Sequence, residues 1–343
     1  MSYQTGVPTD ETDLVKQLVT WLVSIGWTNN LSAADGTGWR AHLSKGGMFV
    51  NLRSAINDTS GGVWNFILAG GTFVGVMLNV GTGFDGSHLW YDQAGVPTQN
   101  VAGPIPTGVG FSTYNPALPT PHSMAPFTRY HFFSDALDNV VVVLERSPGN
   151  FSVMGWGNLI KKGGVWTGGA YFFSRTGPVY TSVPILPTCE CPFAMSGFSD
   201  NDNAAWVRAD VDTYTGQWLS NYRLLSGGGF GKRCATGVFF SDVPPPDIPS
   251  YQVLSGLLTS QLNSQANLLP IDVYGERDNP SNPGQIGGGF SLLGTVPGIF
   301  LTTAGSRGFA SGSVYSIGAD DYMIFAGAMA PASWIPGFAI QKT

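Results

Sequence analysis

The stretch "NVVVVLERS", residues 139–147, sets five apolar residues in a row, Val140 to Leu144, four of them β-branched. β-Branched side chains suit a pleated strand better than a helix, and successive side chains of a strand point to opposite faces. A run that is apolar at every position therefore asks for cover on both faces. This excludes an isolated hairpin or a sheet with one wet side: other layers must pack above and below this strand.

Its neighbours extend the same sheet. "RYHFFSD" precedes it across the turn-prone pair Asp138-Asn139, and "FSVMGWG" and "GGAYFFSR" follow; all are short β-type runs bounded by turn residues. The clearest helix lies near the start, where Leu14, Leu18, Trp21, Leu22 and Ile25 fall on one face. It is expected over 10–25, with Thr9 or Asp10 as N-cap and Gly26 closing it. "WRAHLS" and "MFVNLRS" read as strands joined by Lys45-Gly46-Gly47. A hairpin is expected over 63–80, from "VWNFILA" through Gly70-Gly71 to "TFVGVMLNV". Residues 91–128, rich in Pro, Gly, Thr and Ser, read as a long loop or linker. A Pro-rich segment, "DVPPPDIPS" at 242–250, marks a boundary, and a second amphipathic helix is expected over 251–263 with Ser250 as its cap.

These elements give an α+β fold, predominantly antiparallel β sheet with two short amphipathic helices, in two or three packed domains. The expected division is 1–128, an N-terminal helix and hairpins with a Pro/Gly-rich loop; 129–249, a central β domain; and 250–343, a C-terminal helix plus β domain. No fixed-period repeat supports a solenoid or propeller.

Composition narrows the function classes. Charged residues are 11% of the 343, against roughly 25% in an average soluble protein. With 16 Lys+Arg thinly spread and a net charge of −6, no basic stripe exists to track phosphates, so nucleic acid is not an expected partner. Residues 59–84 carry no charge, but Asn65, Asn79 and several glycines interrupt what would need about 20 apolar residues to span a bilayer; no membrane span is expected. The acidic N-terminus lacks a secretory pattern, and Cys189, Cys191 and Cys234 form no even disulfide set.

Motif by motif, chemistry finds little purchase. "SGGGFGKR", 226–233, has Ser226 and Arg233 where a phosphate loop needs Gly and a hydroxyl. In "GWGNLIKKGGVWTGGAYFF", 155–173, Gly155 and Gly157 are followed by Ile160 where a dinucleotide fingerprint needs its third Gly. The stretch reads as turns of a sheet, with Lys161 and Lys162 at an exposed tip. His42, His88, His122 and His131 lie far apart without paired ligands, and Cys189 and Cys191 lack a second pair, so no metal site is assigned. For sugar hydrolysis two carboxylates must flank the bond; Asp135, Asp138, Glu145, Glu190, Asp210, Asp212 and Glu276 are available, and no pair stands out. Trp90, Trp156, Trp166, Trp206 and Trp218 could line a glycan platform but more often fill a core. No catalytic, cofactor-binding or metal-ligating residue is assigned, and no cofactor is expected.

A resemblance gives a role. "TRYHFFSDALDNVVVVLERSPGNFSVMGWGNLIKKGGVWTGGAYF" resembles segments of virion structural proteins of tailed bacteriophages, of the tail or baseplate-associated type. "LVTWLVSIGW" with "GWRAHLSKGGMFVNLRS" is similar to their opening, and "PGIFLTTAGSRGFASGSVYSIGADDYMIF" to their closing part. The resemblance implies a non-enzymatic component located in the virion after synthesis in the host cytoplasm. Its implied partners are other virion proteins and further copies of itself in a symmetric particle. It carries over no site residues. Contact segments are expected at 91–128 and 178–193. A glycan-binding or glycan-cleaving tail-tip module is the alternative of a different class, and an assembly chaperone a further one.

Overall fold

The computed structural model describes residues 1–58, 73–90, 92–96, 98–101, 103–106, 109–112, 125–162, 170–175, 193–195, 205–209, 217–222, 268–278, 286–302, 311–325 and 337–342. The chain begins with β1 (Ser2–Gly6) and α1 (Glu11–Ser24), then β2 (Thr28–Asp35), β3 (Gly38–Lys45), β4 (Met48–Asp58) and β5 (Phe73–Gly81). Three short strands follow: β6 (Thr98–Val101), β7 (Gly103–Pro106) and β8 (Val109–Ser112). The middle holds β9 (Arg129–Ser134), β10 (Val140–Ser147), β11 (Asn150–Gly157), β12 (Ile160–Lys161), β13 (Tyr171–Arg175), β14 (Phe193–Met195), β15 (Ala205–Ala209) and β16 (Gln217–Tyr222). The last part adds β17 (Leu268–Asp278), β18 (Ile286–Thr302), β19 (Ser313–Ile317), β20 (Asp320–Phe325) and β21 (Gly337–Gln341).

The fold is α+β and dominated by antiparallel sheet: every strand pair among the described residues is antiparallel. A five-stranded sheet runs β2-β3-β4-β5-β8, and a six-stranded sheet runs β1-β9-β10-β11-β13-β14. The largest sheet follows β16-β15-β17-β18-β21-β20-β19, with β12 added against β18, and β6-β7 forms a separate ribbon. Strand pairing crosses both expected boundaries: β1 joins β9, and β15 joins β17.

Helix α1 ends where its caps dictate. The Asp10 carboxylate accepts the Asp13 N–H at 2.8 Å, satisfying an unpaired donor of the first turn, and the Asp13 carboxylate accepts the Thr9 N–H just ahead of the cap at 2.8 Å, which fixes how the chain enters the helix. At the other end Gly26 takes φ +92°, the Gly26 N–H bonds the Val23 carbonyl and the Trp27 N–H bonds the Leu22 carbonyl. That is a Schellman closure, which needs a residue without Cβ strain at its left-handed position. The buried face of α1, with Leu14, Leu18, Trp21 and Leu22, is the one its periodicity predicts.

This helix is packed between two sheets. Its apolar face shares one core with Leu43, Val50, Leu52, Val76 and Leu78 of the five-stranded sheet and with Phe132, Val142, Met154, Trp156 and Phe172 of the six-stranded one. Trp21 lies 5.5 Å from Phe132, and Trp27 meets Trp156 edge-on at 6.0 Å, a favoured aromatic geometry. The opposite face of the six-stranded sheet is also covered, because Phe325 of β20 makes edge contacts with His131, Phe133 and Phe151. Val140 to Leu144 are consequently all buried, even-numbered residues toward the helix and odd-numbered ones away from it.

Two expectations are corrected. The span 91–128 is not a loop throughout, since β6, β7 and β8 lie within it. Pro104 and Pro106 are accommodated because β7 belongs to a two-stranded ribbon, where only one side of each strand must donate. Lys161 is not at a loop tip: β12 leaves its neighbours β11 and β13 and pairs with Thr295 and Gly294 of β18, stitching two sheets together. Gly294 permits this approach, as a Cβ there would lie 2.5 Å from the Ile160 carbonyl oxygen. Ile160, Lys161 and Lys162 do remain solvent-exposed. The first limb of the 63–80 hairpin, the 242–250 boundary and the 251–263 helix lie outside the described residues; the second limb is β5, paired with β4.

Candidate functional site: a buried polar row and an exposed strand edge

Strand alternation sorts the five-stranded sheet into an apolar face toward α1 and a polar outer face. On β3, Ala41 and Leu43 point inward, so Arg40, His42 and Ser44 share the outer side. Register places His42 opposite Asn51 and Asn51 opposite Asn79. Their side chains form a chain of hydrogen bonds: the Asn79 amide donates to the Trp90 carbonyl at 3.5 Å, the Asn51 amide donates to Asn79 Oδ1 at 2.7 Å, and Asn51 Oδ1 faces His42 Nδ1 at 2.7 Å. Because both asparagine amides already donate in one direction, His42 Nδ1 must carry the proton in the bond to Asn51 Oδ1. Burial pushes the His42 imidazole below its ordinary value of 6.5, against the opposing pull of its bond to Asn51.

Residues 82–90 and 92–96 cover this face. Gln93 holds the segment together by donating to the carbonyls of Asp85, His88 and Leu89 while accepting the Asp85 N–H at 2.7 Å. Trp90 is buried beneath it, and the Phe84 ring lies 5.0 Å from the His42 ring. Next to the row, Arg53 pairs with Asp35 at 3.0 Å and with the buried Asp58. No sequence motif announces this polar row, because its members come from three strands. The available signal was a His and two Asn at outward positions of consecutive strands.

The carboxylates weighed for acid–base work have structural duties where they are described. Asp135 Oδ1 accepts the N–H groups of Leu137 and Asn139, and Oδ2 accepts from the Asn139 amide, so Asp135 organises the β9–β10 turn. Asp138, at φ 63°, pairs with Lys45 at 2.7 Å, and Glu145 accepts the Gly149 N–H at 3.4 Å. Glu190, Asp210, Asp212 and the side chain of Glu276 lie outside the described residues. So do Cys189, Cys191, Cys234, His122, residues 226–233, and the side chains of Trp166, Trp206 and Trp218. Trp90 and Trp156 are 3% and 0% exposed, core residues that offer no platform. Exposed His88 sits 3.1 Å from Asp92, whereas His131 is buried with Nδ1 2.8 Å from Tyr3 Oη. Among the described residues, no group of three or more His, Cys, Asp or Glu could hold a metal ion, and no helix is long and apolar enough to cross a membrane.

One outer strand of the largest sheet is the most conspicuous surface feature among the described residues. β19, "SVYSI", carries no charge and no proline, and exposes Val314, Tyr315 and Ile317 at 43%, 37% and 46%. Within the described residues only β20 pairs with it. Soluble proteins normally blunt such edges with charge, proline or bulges. The edge strand β2 follows that rule, with a polar sequence and a bulge between Asn29 and Leu31. Of the segments expected to make contacts, 178–192 lies outside the described residues. No family model matches the chain, and no curated protein does.

Proposed function

We propose that this protein is a non-enzymatic structural component of a tailed-phage virion, in the tail or baseplate, that acts through contacts with further copies of itself and with other virion proteins. The observation that carries the reading is β19, an uncharged outer strand whose apolar side chains face solvent on both sides of the sheet. A subunit destined for a symmetric particle gains from such a strand, since each contact is repeated by symmetry and apolar burial contributes roughly 25 cal/mol per Å² before association costs. Low overall charge and the resemblance of residues 128–172 and 297–325 to phage virion proteins support the same reading.

The test is an image reconstruction of the virion with peptide identification of its proteins. Several copies at ordered positions, with β19 against a neighbouring subunit, are expected. Purified particles that lack the protein would overturn the proposal.

A further inference from the structure

The outer face of β3 holds more polar chemistry than its own fold uses. Arg40 Nε, His42 Nε2 and Asn30 Nδ2 are each buried from solvent without a hydrogen-bond partner among the described residues. They share a neighbourhood by register: Arg40 and His42 are two apart on β3, and Leu31 of β2 faces His42. Asn30 sits in the β2 bulge and accepts from Ser44 Oγ at 3.4 Å, which turns its side chain to the same face. His42 as a whole is only 1% exposed. A buried polar group left unpaired is destabilising, and Arg40 and Asn30 flank His42 on one face of the sheet, so a ligand between them gains more than one donor.

The charges identify that partner's sign. Arg40 lies directly opposite Arg53, a like-charge pairing that disfavours the sheet. Arg53 is neutralised by Asp35 and Asp58, whereas Arg40 has no ion pair among the described residues. On the covering segment the ionisable groups Asp85, His88 and Asp92 interact with one another at its exposed end. We propose that Arg40, His42 and Asn30 bind an oxyanion, the carboxylate or phosphate group of a ligand or neighbouring subunit, with one solvent proton taken up at His42 Nε2. Arg40 Nε and Asn30 Nδ2 donate to the anion, and the Asn51–Asn79 chain keeps His42 Nδ1 as a donor, so uptake converts Nε2 from a bare lone pair into the third donor.

The test titrates the full-length protein with inorganic phosphate, acetate and a glutamate-containing pentapeptide while the histidine ring proton resonances are followed by NMR. His42 is assigned by the loss of its signal in His42→Gln. At least one probe should shift the His42 resonance saturably, with tighter binding at pH 5.5 than at 7.5. Arg40→Gln, at a half-buried position, should weaken that binding by roughly tenfold or more, about 1.4 kcal/mol. Saturation by phosphate but not the peptide assigns a free anion; saturation by the peptide at lower concentration than acetate assigns a protein carboxylate. A His42 signal that no probe moves, or an Arg40→Gln variant that titrates like the parent protein, would overturn the proposal.

Discussion

Lys45 Nζ lies 2.7 Å from the Asp138 carboxylate and, at the same time, donates to the Ile25 carbonyl at 2.8 Å. One ammonium group thus joins the β3–β4 turn, the C-terminus of α1 and the β9–β10 turn, which belong to two different sheets and the helix between them. A cation at a helix C-terminus is favoured by the aligned peptide dipoles.

Lys45→Met should destabilise the protein by about 1–2 kcal/mol, combining a lost helix-end hydrogen bond with a partly exposed ion pair worth under about 1 kcal/mol. Asp138→Gly should cost less, because glycine relieves the left-handed backbone at φ 63°. Chemical denaturation of both single variants and the double variant checks this; a coupling energy near zero would show that the ion pair adds nothing.

Gly157 is required by space rather than by backbone conformation. A Cβ there would collide with Asn139 Oδ1, the acceptor of the Asn158 N–H and part of the side chain that braces Asp135. Gly157→Ala should therefore cost roughly 2–4 kcal/mol by displacing a buried hydrogen-bonded amide. Gly47, at φ +82° with nothing within 4 Å of a Cβ, provides the contrast, and Gly47→Ala should cost only about 1 kcal/mol. Thermal unfolding of the two variants side by side gives the comparison.

His131 makes stability fall in mild acid. Burial, with smaller contributions from Arg129 and Lys342, lowers its pKa from 6.5 to about 4. Between those values the unfolded chain binds more protons than the folded one, so stability drops as pH falls from 6.5 toward 4, by about 3 kcal/mol in all. His131→Gln should remove this part of the pH dependence. The check is the difference between parent and variant in denaturant midpoint at pH 7 and pH 4.5; parallel lines would sink it.

The exposed strand gives a test that separates assembly from folding. Val314→Lys and Ile317→Lys place charge on side chains that are already solvated, so the isolated protein should keep its stability within about 0.5 kcal/mol. On the proposed virion role, incorporation into particles should be lost or strongly reduced, since a desolvated lysine against a neighbour is costly. Normal incorporation of both variants would remove β19 from the assembly contacts.

How much of this was legible depends on how local each cause is. Helix α1 could be read to within a residue at each end because Asp10, Asp13 and Gly26 satisfy backbone groups only a few residues away. The strands β9, β10, β11 and β13 were equally readable, as was the need to cover Val140–Leu144 twice. The strands inside 91–128 were obscured by proline and glycine, whose usual preference for turns gave no hint that β8 would add to the edge of β5. The polar row is not legible in the sequence for another reason: His42, Asn51 and Asn79 meet across strands, and no spacing rule links them.

By itself, then, the amino-acid sequence determined the helix, its caps, the principal strands and the demand for layers on both sides of β10, because these follow from steric preference, alternation and short-range hydrogen bonding. Only the tertiary structure decided which layers meet that demand. Packing α1 and Phe325 on opposite faces of one sheet, carrying β12 across to β18 and pairing β1 with β9 all bring together residues far apart in the chain. Their free energy comes from apolar burial, which is nearly blind to sequence separation, so local pattern can announce the surface to be buried but not the surface that buries it.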